Sequence, residues 1–112
     1  MAIKHSSEIN IKVGLDENRV PEALSWSADD GNINDMESKA LLLSVWESTN
    51  KDTYKINLWT TEMPVNEIIQ FFHQTLTSMA ETFEMATGDD KMSATMRDFC
   101  DYYAEKMGIK KQ

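Results

Sequence analysis

A chain of 112 residues, 41% hydrophobic and 27% charged, is long enough to bury one core without disulfides or metal and is ordinary for a globular protein. Its formal net charge of −8 repels phosphate backbones, and no Lys/Arg cluster offsets that, so nucleic acid and direct adhesion to anionic lipid are excluded as expected partners. One cysteine permits no internal disulfide, and the longest unbroken apolar run, Ala40–Leu43, is far too short to insert in a membrane.

The N-terminal "MAIKHSSEINIKV" has no apolar segment or small-residue cleavage site of the kind a secretory signal needs. A cytoplasmic protein, peripheral to the inner membrane at most through partners, is the expectation. Residues 1–7 and the tail 110–112 read as disordered ends, and 8–109 as one domain.

The alternation of Ile9, Ile11, Val13 and Leu15 with polar residues predicts a half-buried strand over about 8–16. After the turn-rich "DENRVPE", Leu24, Trp26 and Ala28 mark a second strand over about 22–28. "DDGNIND" then reads as a polar loop. Residues 36–47 are ambiguous. Asn34 and Glu37 have capping-box spacing for a helix, yet Ala40–Leu43 would point in every direction around one. The favoured reading is a hairpin of strands 39–47 and 53–60 across "STNKD". Setting Glu47 opposite Thr53 pairs Trp46 with Tyr54, Ser44 with Ile56 and Leu42 with Leu58.

From Pro64 the period changes. Val65, Ile69, Phe72, Leu76, Met79, Phe83 and Ala86 form a stripe at helical spacing over about 64–87, with Pro64 suited to its start and Gly88 to its end. A second helix over about 90–107 carries Met92, Met96, Phe99, Tyr103 and Met107 on one face. The short loop between them calls for antiparallel packing. The fold class expected is therefore α+β: a four-stranded antiparallel meander followed by two antiparallel helices covering one sheet face.

In that arrangement some apolar residues exceed what a monomer needs. Leu41, Leu43, Val45 and Trp59 fall on the second sheet face, and Ile68 and Phe71 lie beside the main helical stripe. These six form a candidate partner or self-association surface, and a homo-oligomer is one of its readings.

Reactive chemistry finds little support. His73 and Cys100 lie beside their stripes on neighbouring helices, so a thiol-dependent enzyme or redox sensor is one reading. A mid-helix cysteine, however, lacks the free N–H groups that activate a thiolate and hold an oxyanion. Zinc needs three or four ligands, and the chain offers His5, His73 and Cys100 without HExxH or CxxC spacing. The acidic loop 29–35 resembles a calcium loop only superficially. Aligned on Asp30, Asn32 and Asn34, it has Asp35 at the glycine position and Leu41 where glutamate belongs. No phosphate-binding or nucleophile-elbow motif occurs. No catalytic, cofactor or metal residue is expected. Of the methionines in the two-helix unit (Met79, Met85, Met92, Met96 and Met107), all but Met85 sit on the stripes, which points to core packing.

The stretches "LLLSVWEST…TYKINLWTTEM", "FFHQTLTSMAETFEMATGD" and "MRDFCDYYAEKMGI" resemble the gliding-motility family GldC of Bacteroidetes, in order from about Ile9 to Ile109. The resemblance implies a small non-enzymatic accessory protein of the gliding apparatus, linked to type IX secretion and working beside envelope lipoproteins and motor components. It carries over no catalytic or ligand residues. Four strands followed by two helices is also similar to the export chaperone SecB, which implies an alternative role as an adaptor for secreted clients.

Overall fold

Five strands and two helices make up the computed structural model, which describes residues 2–109. They form two compact units, one ending at Met63 and the other starting at Pro64. The α+β class stands. The four-stranded meander does not: the first unit holds a three-stranded antiparallel sheet and a separate two-stranded one.

In the first sheet, β1 (Ile9–Leu15), β2 (Pro21–Ala28) and β3 (Ile33–Ser38) lie in sequence order. The β1–β2 turn is held by Asp16, whose carboxylate accepts from the N–H groups of Asn18 and Val20 at 2.8 and 2.9 Å. As the central strand, β2 supplies the one buried apolar side chain among the described residues of this unit, Leu24.

Strand β3 begins inside the segment expected to be a polar loop. Asn34, Asp35 and Glu37 disfavour a strand by propensity, but β2 supplies a ready edge for them. A register irregularity in β2 between Trp26 and Ala28 accommodates the pairing, and the Ser27 hydroxyl accepts from Asp35 N–H at 2.9 Å. Asn32 and Asp35 both adopt positive φ, a conformation these two residue types tolerate better than most.

The second sheet is the hairpin of β4 (Ala40–Glu47) and β5 (Asp52–Trp59), which settles residues 40–47 as strand. Its register is one residue away from the expected one. Glu47 faces Asp52, Val45 faces Tyr54, Leu43 faces Ile56 and Leu41 faces Leu58. The turn decides this. The Glu47 carboxylate accepts from Thr49 and Asn50 N–H at 2.9 and 2.6 Å, Lys51 takes φ 53°, and the loop closes over residues 48–51. A one-residue slip moves every side chain of one strand to the other face relative to its partner.

In the second unit, α1 (Val65–Thr87) follows Pro64 and ends at Gly88, whose φ of 72° suits glycine and whose N–H donates to Glu84 C=O. α2 (Asp90–Lys106) starts at Asp89, whose carboxylate accepts from Met92 N–H at 2.9 Å. The helices are antiparallel, with Glu84 near the turn reaching Ser93 and Arg97, and Ile69 far from it reaching Tyr103.

Their buried residues are small ones: Ala80, Ser93, Cys100 and Ala104. Small side chains let helix backbones approach closely, and the bulky stripes are displaced to one side of that seam. This corrects the core reading of the stripes. Val65 is 72% exposed, Met79 52%, Met92 50% and Phe99 52%. Of the four methionines expected on the core stripes (Met79, Met92, Met96 and Met107), only Met96 is half-buried.

Candidate interaction surfaces

The helical pair is joined through polar atoms as well as small ones. Arg97 donates to the Glu84 carboxylate at 2.7 Å, and the Ser93 hydroxyl donates to the same oxygen at 3.0 Å. The Arg97 guanidinium hydrogen bond, helped by Ser93, holds the Glu84 carboxyl below its ordinary value of 4.5. Toward the other end, the Tyr103 hydroxyl donates to Ile69 C=O at 3.0 Å, and its ring stacks on His73 with centroids 5.9 Å apart.

These contacts account for His73 and Cys100. His73 is half-buried against an aromatic ring, and Cys100 is buried in the seam. Among the described residues, no three of His, Cys, Asp and Glu converge as a group that could hold a metal ion. In the acidic loop, Asp29 accepts from Glu8 N–H, and Asp35 pairs with Lys12 at 3.5 Å, so these carboxylates face their own sheet.

Beside the seam, the two bulky stripes merge into one face. A groove of about 590 Å³ is lined by Phe71, Met79, Phe83 and Ala86 from α1 and by Met96 from α2, with the polar Gln74, Thr75, Ser78 and Thr82 completing the lining. None of its lining residues is charged. The run Ile68–Ala80 contains no Asp, Glu, Lys or Arg at all, in a protein of net charge −8. The acids of α2 (Asp98, Asp101 and Glu105) fall on its other side by helical spacing.

The six residues expected to form a surface are distributed differently from the expectation. Leu41, Leu43 and Val45 do share one face of the hairpin, with Tyr54, Ile56 and Leu58 across from them. Trp59 pairs with Ala40 and lies on the opposite face, the one that carries Leu42 and Trp46, because the turn shifted the register. Leu41 and Leu43 are half-buried, whereas Val45 is 52% and Trp59 61% exposed. Ile68 and Phe71 belong to the helical unit, where both are half-buried and Phe71 lines the groove. Sequence reading missed Phe72 and Met79 as exposed residues by assigning them to the core. The small residues at Ala80, Ser93, Cys100 and Ala104, spaced for close approach, were the signal that the seam lay elsewhere.

Among the described residues, no helix is long and apolar enough to cross a membrane. No curated protein and no solved structure matches the chain significantly. A family model described as "Gliding motility-associated protein GldC-like" matches residues 21–109, which take in β2 through β5 and both helices. The chain belongs to this GldC-like family of gliding motility-associated proteins.

Proposed function

We propose that this protein is a non-enzymatic, cytoplasmic accessory of gliding motility that works by protein–protein interaction, on the apparatus linked to type IX secretion. One observation carries the reading. The helical pair buries small residues between its helices and leaves Phe72, Met79, Met92 and Phe99 at 43–52% exposure, with Met79 on the uncharged groove. A large apolar surface that the helices do not use for each other is what a docking partner requires. The polar groups that drew attention in the sequence are engaged structurally: Cys100 in the seam, His73 on Tyr103 and Glu84 on Arg97.

Crosslinked affinity purification from gliding cells tests the reading. The wild-type chain should recover motility or envelope components, and the double variant Phe72→Ser, Met79→Ser should lose them together with gliding. Recovery of the same components by the folded double variant would overturn the assignment of this face.

A second reading, a SecB-like adaptor for secreted clients, is favoured by the methionines at the groove. Met79 and Met96 line it, and flexible thioether side chains adapt to differing apolar ligands. It requires binding to several unrelated unfolded polypeptides, and indifference to all of them counts against it.

A further inference from the structure

Strand β4 has one paired edge among the described residues, the edge against β5. The aim of its remaining backbone groups follows from one bond. Thr60 N–H donates to Lys39 C=O at 2.8 Å, directly in line with the hairpin register. Hydrogen-bonded and non-bonded pairs alternate along an antiparallel ladder. The odd-numbered residues from Lys39 to Glu47 therefore direct N–H and C=O at β5. Those of Ala40, Leu42, Ser44 and Trp46 point out of the open edge.

Soluble proteins guard such edges with charges, proline or bulges. This edge has none of them. Ala40–Trp46 contains no charged residue, no proline and no glycine, and its pairing with β5 runs without a register shift. A two-stranded hairpin is also marginal on its own, and three or more strands are needed for independent stability. Val45 is 52% and Trp46 65% exposed along it.

The charges at its two ends indicate what covers it. Lys39 stands four residues before Leu43 and Glu47 four residues after, with opposite signs. When a second copy is laid antiparallel about Leu43, Lys39 of each copy falls opposite Glu47 of the other. Leu41 then falls opposite Val45, and Leu43 opposite itself. The same register sets Ala40 against Trp46 and Leu42 against Ser44, the very residues whose backbone groups are free. About eight backbone hydrogen bonds form, two for each such pair. Charge and apolar side chains select this two-fold arrangement, and backbone parity permits it.

We propose that β4 is a homodimerisation edge, through which two copies of this chain join strand to strand about Leu43 into one four-stranded sheet. The proposal goes beyond the motility reading and needs no motility partner, so the purified chain alone tests it and the two can fail separately.

Size-exclusion chromatography with light scattering should give twice the chain mass of 12.8 kDa. Ser44→Pro removes an N–H that faces the open edge and not β5, so the hairpin keeps its own ladder. The variant should raise the dimer Kd at least about tenfold with an unchanged far-ultraviolet dichroism spectrum. Leu43→Cys puts two thiols at a non-hydrogen-bonded pair with Cα atoms about 4.5 Å apart, within disulfide reach. Oxidised glutathione should then link Leu43→Cys chains covalently and leave Val45→Cys chains unlinked. A wild-type monomer at about 100 μM, a concentration that fills an ordinary specific interface, overturns the proposal. So does a dimer that a folded Ser44→Pro variant retains, or one that crosslinks at Val45→Cys in place of Leu43→Cys. If Ser44→Pro fails to fold, the contrast between the two cysteine variants decides.

Discussion

Tyr103 is fixed to α1 at two points: its ring stacks on His73 at 5.9 Å, and its hydroxyl donates to Ile69 C=O at 3.0 Å. Near the other end, Glu84 receives Arg97 and Ser93. The buried Ala80 and Cys100 lie between these two sets of contacts. The seam therefore depends on polar contacts at its ends and close approach in its middle.

Replacing Tyr103 with Phe keeps the stack and deletes one neutral hydrogen bond. The Ile69 carbonyl keeps its place in the α1 ladder, so no buried acceptor is stranded. The expected loss is about 0.5–1.5 kcal/mol, read as a lower urea midpoint at unchanged slope. An unchanged midpoint would show that the hydroxyl contributes nothing to the pairing.

Acid should erase the contribution of Glu84. Its folded-state carboxyl titrates below 4.5 because Arg97, then Ser93, hydrogen-bond the ionised form. A depressed folded value gives stability that is present above the unfolded value and lost as pH falls through the folded one. The Glu84→Gln variant should therefore be less stable than wild type at neutral pH, and the gap should be smaller in acid below 4.5. Salt should shrink the neutral-pH gap, since both side chains are partly exposed. Urea titrations at the two pH values check the sign, and a gap that widens on acidification contradicts it.

Neighbouring residues Met79 and Ala80 should respond in opposite ways. Ala80 is fully buried in the seam, so Ala80→Leu forces the helices apart and should cost about 1–3 kcal/mol. Met79 is 52% exposed, and Met79→Ser should stay within about 0.5 kcal/mol of wild type while weakening partner recovery. Thermal melts of both variants separate the seam from the docking face.

Cys100 is 5% exposed in the seam. A thiol-reactive chromogenic disulfide should modify it at least about 100-fold more slowly in the native protein than in denaturant, since access requires the helices to part. Rapid native reaction would place the thiol at the surface and reopen a redox role.

Several parts of this fold were legible in the residues alone. The alternation from Ile9 to Leu15 marked β1, the change of period at Pro64 marked α1, and Gly88 marked its end. These are local signals, carried by side-chain spacing and by the backbone preferences of two residue types. The family likeness was legible as well, from the stretches that lie in β4, β5 and the helices.

Other features depended on partners distant in sequence. β3 forms from polar residues because β2 offers an edge, which no property of Asn34 or Asp35 announces. The hairpin register followed the contacts of the Glu47 carboxylate with two turn amides and not the best apolar matching, and this moved Trp59 to the face opposite Leu43. The sequence by itself determined that α1 and α2 are amphipathic helices that lie antiparallel. Only the tertiary structure decided which stripe they bury. Close approach favoured Ala80, Ser93, Cys100 and Ala104, and the bulkier residues beside them stayed at the surface.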